Sequence, residues 1–273
     1  MSRLEGKIAL ITGAARGQGR SHALRLARDG ADIIAVDVCA DAVESLAYPL
    51  ASSADLAETV AEVEALDRRI VATEVDVRDA DALRAAVDDG AARLGGLDIV
   101  LANAGIGMSS PDVSDAAAFR DQLDVNLVGV WNTVHAAVPT MISQGRGGSI
   151  VITSSVMGLS GKAGGGNGGA EGYMASKHAI VGLARGWTRW LAPHNIRVNT
   201  VHPSGVRTPM IVNEAVEAMF PDPPQHGSDV GNLLDVLMIE PEDISNAIAW
   251  LVSEDARYVT GVALPVDAGF TSP

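Results

Sequence analysis

The chain has 273 residues, 47% of them hydrophobic, and its 34 acidic against 20 basic residues give a formal net charge of −14. This length and composition suit one α/β domain over residues 1–273 with a full core, and the negative charge disfavours a nucleic acid partner, because a phosphate backbone attracts Lys and Arg. The single cysteine, Cys39, excludes an internal disulfide, and Gly, Pro or charge interrupts every apolar run before it could span a membrane.

Short β-branched runs alternate with longer amphipathic stretches along the chain, which is typical of repeated β-α-β units and a parallel sheet. The pattern predicts a Rossmann-type, doubly wound three-layer α/β sandwich around a seven-stranded parallel sheet. One helix is expected to end at Gly30 and another to begin just after Pro241. The predicted strands are Lys7–Thr12, Asp32–Val38, Arg69–Val75, Asp98–Asn103, Ser149–Ser155, Ile196–His202 and Val262–Ala268.

Two connections between these elements are unusually long, residues 39–53 and residues 207–240. Long loops in compact domains are more often functional than idle. We expect a cofactor half at about residues 1–145 and a catalytic and substrate half at about residues 146–273, with the substrate loop at about residues 207–240.

The first predicted strand ends in TGAARGQGR, where three glycines open a helix. A strand, a glycine-rich turn and a helix in this order are what a dinucleotide-binding site needs. The glycines let the backbone approach a pyrophosphate, and the free N–H groups at the helix start attract its charge. The residues expected to bind the cofactor here are Gly13, Arg16, Gly17, Gln18 and Gly19.

Asp37 lies at the end of the second strand, where a carboxylate can accept hydrogen bonds from the adenosine ribose hydroxyls. A 2′-phosphate there would meet like charge, so Asp37 favours NAD over NADP. Arg16 favours the opposite choice, because a guanidinium in the glycine turn can pair with a 2′-phosphate. We give Asp37 the greater weight, since desolvating a phosphate beside a carboxylate costs more than one exposed arginine returns.

Tyr173 and Lys177 are four residues apart in YMASKHAIVGLARGWTRWLA, a segment with the apolar period of a helix, so their side chains share one face. A free phenol with a pKa of about 10 exchanges protons poorly at neutral pH, and an adjacent ammonium favours its ionised form. The pair is a candidate general acid and base. The alternative is a solvated helix face.

Two further polar residues are candidates for the same site. The fifth strand ends in ITSS, and either Ser154 or Ser155 faces the crevice at the carboxyl end of the sheet, because side chains alternate along a strand. Asn126, in a predicted helix, can offer its side chain or a freed backbone carbonyl.

Together these motifs resemble the short-chain dehydrogenase/reductase family over essentially the whole chain. The resemblance selects Ser155 and implies that Tyr173 exchanges a proton with a substrate oxygen to which Ser155 is hydrogen-bonded. It implies that Lys177 holds the nicotinamide ribose and lowers the tyrosine pKa, and that Asn126 supports a water relay behind Lys177. The matching segments are TGAARGQG (12–19), Asp76 and Val77, NAG (103–105), Asn126, Ser155, YMASK (173–177) and HPSGVRTPM (202–210).

The same resemblance implies further cofactor contacts. Asp76 is expected to contact adenine, and Val206 and Thr208 are expected to meet the nicotinamide amide. The remaining residues expected around the cofactor are Val77, Asn103, Ala104, Gly105 and Pro203, together with Tyr173 and Lys177.

Two segments depart from the family pattern. The spacing from Ser155 to Tyr173 is longer than usual, so the glycine run at residues 161–172 is interpreted as an insertion. It is expected to form a mobile lip that admits substrate, or else a spacer without a role. The second insertion follows Asp37 and contains YPL at residues 48–50, which resembles the carveol-dehydrogenase-like subgroup associated with the redox peptide mycofactocin. There the insertion covers the cofactor, which implies that bound NAD is reoxidised in place.

The substrate loop combines branched aliphatic residues with Met210, Met219 and Met238. Adaptable apolar side chains suit a lipophilic secondary alcohol or ketone of terpene or steroid type, unless these residues only pack the loop. Family resemblance also implies a homotetramer, with the helices that carry Trp131 and Trp187 at the main interface.

Two other functions are weighed against this one: a carbonyl reductase with exchangeable NAD(P), such as a 3-oxoacyl reductase, and a dinucleotide-binding sensor without catalysis. The intact tyrosine and lysine disfavour the sensor. The first residues, MSRLEGKIALITG, lack the pattern of a signal peptide, which predicts a cytoplasmic location. The six histidines lack metal-ligand spacing, so no metal is predicted.

Overall fold

The structure is a computed structural model of the chain and describes residues 3–40, 45–162, 166–219 and 231–272. Seven parallel strands form one sheet in the order β3-β2-β1-β4-β5-β6-β7. The doubly wound fold and all seven predicted strands are confirmed, with ends within two residues of the prediction. The strands are β1 (Ile8–Thr12), β2 (Asp32–Asp37), β3 (Ile70–Glu74), β4 (Ile99–Ala102), β5 (Gly148–Thr153), β6 (Ile196–Pro203) and β7 (Ala263–Val266).

Helices cover both faces of the sheet, and a separate apolar cluster lies on each face. The residues of β1 and β4 are all buried, as expected for strands covered on both sides. In the described residues no helix has the length and apolar character needed to cross a bilayer. The helices are α1 (Gly17–Arg28), α2 (Ser53–Glu64), α3 (Ala80–Leu94), α4 (Asp115–Leu123), α5 (Val130–Gln144), α6 (Gly168–Leu191), α7 (Glu214–Met219) and α8 (Pro241–Val252).

Local signals set the helix ends. Helix α1 stops at Arg28, and Gly30 follows with a φ of +99°, a left-handed conformation that glycine adopts without strain. Ser52 and Asp55 form a capping box that starts α2 directly after the insertion. Pro241 is the first residue of α8, where its missing N–H has no helical partner to lose.

The glycine run before Tyr173 corrects one prediction. Helix α6 begins at Gly168, so residues 168–172 are its first turns and not part of a mobile lip. The glycines let α4 approach closely, because a Cβ on Gly168 would overlap the Asp115 carbonyl and one on Gly172 would lie 2.7 Å from the Phe119 carbonyl oxygen. The part of the predicted lip at residues 163–165 lies outside the described residues.

The helices expected at the main interface are α5, which carries Trp131, and α6, which carries Trp187. Trp131 on α5 is exposed and stacks on His135, with 4.0 Å between ring centroids. Trp187 on α6 packs into the core, whereas Trp190, one turn further along, is exposed and also stacks on His135. Any interface on these helices therefore presents Trp131 and Trp190.

The strand order reverses between β1 and its neighbour β4. At such a switch point the connections leave the carboxyl ends of the strands in opposite directions, which opens a crevice for a ligand. The glycine turn after β1, the segment after β4 and the serines after β5 all lie at this end of the sheet. The fold therefore brings together the three motifs on which the sequence prediction depends.

Candidate active site

The glycine turn leaves the start of α1 open to the crevice. Arg16 precedes the helix in an extended conformation and gives no side-chain cap, and the first turn contains no acidic residue. The N–H groups there can therefore serve an anion. Gly13 has a φ of +69°, and a Cβ on Gly19 would overlap the Gly13 carbonyl, so the tight turn requires glycine at both positions.

Asp37 ends β2 beside this turn. Its carboxylate accepts hydrogen bonds from the N–H groups of Ala15 and Val38, both at 2.8 Å. Burial raises the pKa of Asp37, while hydrogen bonds from Ala15, Val38 and Cys39 and the charge of Arg16 act in the opposite direction. The carboxylate is thus fixed in place at the crevice, with lone pairs left for further donors.

A cavity of about 290 Å³ extends from Asp37 along the glycine turn toward Thr208 and Met210. Most of the predicted cofactor residues line it. Four of them are not among its lining residues: Tyr173 and Lys177 on α6, Pro203 at the end of β6, and Val206, which pairs with Ile239. The predicted residues in the lining are Gly13, Arg16, Gly17, Gln18, Gly19, Asp37, Asp76, Val77, Asn103, Ala104, Gly105 and Thr208.

Asp76 is already engaged by a neighbour. Arg78 donates hydrogen bonds to both of its carboxylate oxygens, with Nη2 at 2.6 Å and Nε at 2.9 Å from Oδ2. Burial favours the neutral acid, but the hydrogen bonds and charge of Arg78 outweigh it and hold the pKa of Asp76 below its usual range. The expected contact between Asp76 and adenine stays a prediction.

The floor of the crevice is a network that joins three strands. The Asn103 amide donates to the Thr12 carbonyl at 3.0 Å, and Thr153 donates to the Asn103 side-chain oxygen at 3.2 Å. The Thr12 hydroxyl accepts from the N–H groups of Asn103 and Ala104, both at 3.1 Å. These bonds fix the ends of β1, β4 and β5 relative to one another.

The two serines after β5 have different roles. Ser154 donates a hydrogen bond to the Lys177 carbonyl at 3.0 Å and is buried. Ser155 lies beside the phenol of Tyr173, close enough for its side chain to lower the tyrosine pKa, and Tyr173 is half-buried. The structure thus places Ser155 beside Tyr173, as the family resemblance implied.

Lys177 completes this group from the next turn of α6. Its Nζ lies 5.5 Å from the centroid of the Tyr173 ring and donates to the Thr153 carbonyl at 3.0 Å. Burial lowers the pKa of Lys177 to about 8. Desolvation raises the pKa of Tyr173, and the side chain of Ser155 opposes this rise. The expected lowering of the tyrosine pKa by Lys177 stays a prediction.

Asn126 lies in a π-helical turn, Asp124–Gly129, between α4 and α5. Its side chain is fully used: Oδ1 accepts from the Ile106 N–H at 2.8 Å, and Nδ2 donates to the Ile106 carbonyl and to Gln122. A Cβ on Gly105 would lie 3.0 Å from Asn126 Oδ1 and 3.5 Å from Lys177 Nζ. The water relay behind Lys177 that the resemblance implies stays a prediction.

Sequence reasoning missed His202 behind the serine. It is fully buried, its Nδ1 donates to the Ser155 carbonyl at 2.7 Å, and its Nε2 lies 2.7 Å from the Thr200 hydroxyl. Burial lowers the pKa of His202 to about 4, so it supports Ser155 as a neutral ring. The motif HPSGVRTPM contained this residue, but nothing in its spacing indicated the contact.

Residues 45–51, which belong to the insertion that follows Asp37, form a segment across the mouth of the crevice that is called the strap below. It pairs with residues 108–110 through hydrogen bonds from the Ala47 N–H to the Met108 carbonyl at 3.0 Å and from the Ser110 N–H to the Ser45 carbonyl at 2.8 Å. On the opposite side the Arg16 guanidinium donates to the Pro49 carbonyl. The strap therefore connects the glycine turn to the segment after β4, and Tyr48, Leu50 and Ala51 line the cavity.

Comparison with known proteins agrees with this site. A family model described as enoyl-(acyl carrier protein) reductase matches residues 13–271. A short chain dehydrogenase from Mycobacterium paratuberculosis, solved bound to NAD, is 47% identical with a TM-score of 0.90 over 99% of this chain and 100% of that chain. The chain belongs to the short-chain dehydrogenase/reductase family.

Two relatives are similar along their full length. The (-)-trans-carveol dehydrogenase of Rhodococcus erythropolis is 49% identical and covers 99% of both chains. The crystal structure of carveol dehydrogenase from Mycobacterium avium in complex with NAD has 49% identity and a TM-score of 0.90, again over 99% of both chains. The resemblance to carveol dehydrogenases is confirmed.

Within the described ranges, no group of three or more His, Cys, Asp or Glu side chains is arranged to hold a metal ion. The absence of a metal stays a prediction of the sequence.

Proposed function

We propose that the protein is an NAD-dependent oxidoreductase that interconverts a lipophilic secondary alcohol and its ketone. One observation carries the proposal: the side chains of Ser155, Tyr173 and Lys177 lie together. Lys177 lies close to Gly105, and Tyr173 and Met210 both lie close to Gly107, so the group stands beside the part of the crevice that Gly105 and Met210 line, which we call the reacting end. A binding module without catalysis would not need this group. The comparison with NAD-bound relatives supports the same activity.

The residues of the crevice fit NAD. The uncapped start of α1 suits the pyrophosphate, and Asp37 suits the adenosine ribose. The Gln18 side-chain oxygen is buried and has no hydrogen-bond partner among the described residues, which is a position a ligand donor would satisfy. Arg16, which favoured NADP in the sequence, is engaged by Pro49 instead. When bound, NAD supplies the hydride acceptor or donor.

The proton is handled by side chains of this chain. Tyr173 takes the proton from the alcohol during oxidation and returns it during reduction, and Ser155 holds the reacting oxygen beside the phenol. Lys177, anchored to the Thr153 carbonyl, places its ammonium close enough to favour the ionised phenol as that proton leaves. His202 keeps the Ser155 backbone in position.

The lipophilic substrate class is supported by the walls at the reacting end. Tyr48, Ile106 and Leu46 form a small apolar cluster, and Met210 packs against it. Of the three methionines predicted to face substrate, Met210 lines the cavity, Met238 lies near Gly205, and the side chain of Met219 lies outside the described residues. Such walls suit a cyclic terpene or steroid-like alcohol.

The strap supports a second part of the proposal: NAD stays bound between turnovers and is reoxidised in place by the redox peptide mycofactocin. The strap lies over the cavity and is held on both sides, by Arg16 at the glycine turn and by residues 108–110 beyond β4. Bound NAD can leave only after these contacts break. Its exchange with free nucleotide is therefore expected to be slow.

We also propose a homotetramer with a cytoplasmic location. The exposed pair Trp131 and Trp190, stacked on either side of His135, offers an aromatic surface on α5 and α6 that a second copy could cover. Light scattering that shows a monomer would contradict the assembly.

The test begins by denaturing purified protein and quantifying the released nucleotide by mass spectrometry. Turnover of carveol is then measured with added NAD and, separately, with an artificial electron acceptor. Stoichiometric NAD(H) with turnover only on the artificial acceptor would support the full proposal. Empty protein that turns over with free NAD or NADP would support an ordinary carbonyl reductase and contradict sequestration.

The chain offers a matched pair of variants for the catalytic assignment. Tyr173→Phe is expected to keep its nucleotide and lose turnover, since the proton acceptor is gone. Tyr258→Phe makes the same change on an exposed ring far along the chain and is expected to keep full activity. Unchanged turnover in Tyr173→Phe would refute the assignment.

A further inference from the structure

The strap places a second tyrosine at the reacting end of the crevice. Tyr48 is only 7% exposed, and its phenol oxygen accepts a hydrogen bond from the Gly107 N–H at 3.2 Å. The residues joined by this bond are 59 positions apart in the chain. The bond fixes the direction of the Tyr48 ring, so the phenol is held in place before any ligand binds.

Gly107 locates this phenol relative to the catalytic group. A Cβ on Gly107 would lie 3.3 Å from the Met210 sulfur and 3.8 Å from Cε2 of Tyr173. Gly107 therefore lies between Met210, which lines the cavity, and the ring of Tyr173, with no side chain of its own to separate them. Tyr48, bonded to Gly107, reaches the same part of the crevice from the opposite segment of the chain.

The hydroxyl of Tyr48 has an unused donor. The Gly107 bond occupies a lone pair of the oxygen and leaves the O–H free, and no residue in the described part of the chain accepts a hydrogen bond from it. Burial raises the pKa of Tyr48 to about 12, so the proton stays on the oxygen at any working pH. A buried donor without a partner is costly, and an acceptor on a bound ligand would remove that cost.

We propose that Tyr48 is a specificity-determining residue whose hydroxyl donates a hydrogen bond to an oxygen of the substrate other than the reacting one. The reacting oxygen already has Ser155 and Tyr173, which approach it from β5 and α6, whereas Tyr48 approaches from the strap. The preferred substrate is therefore a lipophilic cyclic alcohol or ketone that carries a second hydrogen-bond acceptor. This inference rests on the proposed function and adds the chemistry of the substrate to it.

The experiment compares Tyr48→Phe with wild type on matched substrates. The pairs are 4-hydroxycyclohexanone with 4-methylidenecyclohexanol, and the corresponding 3-substituted isomers, so that each pair differs in one oxygen with little change of shape. Wild type is expected to show a kcat/KM about tenfold higher for the carbonyl member of at least one pair, and Tyr48→Phe is expected to abolish that preference. Tyr258→Phe, the same change on an exposed ring, is the control and should keep it.

Other outcomes overturn the inference. Equal losses on both members of a pair would show that Tyr48 acts only through the position of Gly107. A lower NAD content in Tyr48→Phe with an unchanged preference would assign the hydroxyl to the cofactor. The absence of any preference in wild type would refute the second acceptor, whereas the absence of turnover on all four alcohols and on carveol, with NAD and with an artificial acceptor, would refute the proposed function and this inference with it.

Discussion

The hydroxyl of Ser154 donates a hydrogen bond to the carbonyl oxygen of Lys177, 3.0 Å away in the first turns of α6. This contact holds the end of β5 against the helix that carries both catalytic candidates. It also turns the next residue, Ser155, toward Tyr173, because neighbouring side chains of an extended segment point in opposite directions. Ser154 thus has a structural role, whereas Ser155 is available for the reaction.

Alanine at each serine should separate the two roles. Ser155→Ala is expected to lower kcat by about 10²–10³-fold on a cyclic secondary alcohol, because the reacting oxygen loses a preorganised donor. Ser154→Ala is expected to keep kcat within several-fold but to lower the free energy of unfolding by about 0.5–1.5 kcal/mol, since one buried hydrogen bond between β5 and α6 is lost. Steady-state kinetics and urea unfolding measure the two effects, and a larger kinetic loss in Ser154→Ala would reverse the assignment.

Replacing either of two glycines of α6 by alanine is expected to change the stability of the protein in opposite directions. Gly172→Ala is expected to destabilise the protein by about 1–3 kcal/mol, because the new Cβ would lie 2.7 Å from the Phe119 carbonyl of α4. Gly182→Ala places a Cβ in open space on the same helix and is expected to stabilise it by roughly 0.5–1 kcal/mol through the higher helix propensity of alanine. Urea unfolding compares them, and equal stability of the two variants would contradict close packing of α4 on α6.

A substitution at Arg16 tests whether the strap retains NAD in the crevice. Arg16→Ala removes the hydrogen bond to the Pro49 carbonyl. NAD release is expected to become faster by several-fold to about tenfold, because this is the effect of losing one partly exposed charged hydrogen bond. Arg93→Ala, the same charge change on the exposed face of α3, is the control. Exchange of isotope-labelled NAD into the holoenzyme gives the rate. Unchanged release in Arg16→Ala, or equal acceleration in the control, would mean that the strap does not retain the nucleotide.

Because His202 is buried as a neutral ring, the protein is expected to lose stability in acid. Its pKa is about 4 in the folded protein and about 6.5 unfolded, so between these values the unfolded chain binds more protons. The free energy of unfolding should therefore fall as the pH drops from 7.5 to 4.5, by roughly 2–3 kcal/mol from this residue. Urea unfolding of His202→Asn should show a smaller fall, while His194→Asn, an exposed position, should follow wild type. Parallel pH curves for all three proteins would contradict the assignment.

Much of the site was predictable because its signals are local. The glycine turn, Asp37 and the pair Tyr173 and Lys177 are recognised from spacing along one strand end or one helix face. The structure places the pair beside the crevice that the glycine turn and Asp37 line. The glycine run before Tyr173 misled the prediction, because seven glycines in sequence suggest mobility. At Gly168 and Gly172 the backbone of α4 approaches too closely for a side chain, so these two glycines serve close helix packing.

The sequence by itself determined the seven strands, the doubly wound fold that their alternation with helices predicts, and the residue types available for chemistry. Each of these features depends on neighbours within a few positions of the chain. Side-chain alternation left Ser154 and Ser155 open and the family resemblance selected Ser155, but only the tertiary structure decided that His202 supports that serine and that Tyr48 reaches Gly107. These relationships join segments up to 59 residues apart. They depend on how the sheet and the strap pack against each other, which no local pattern in the chain records.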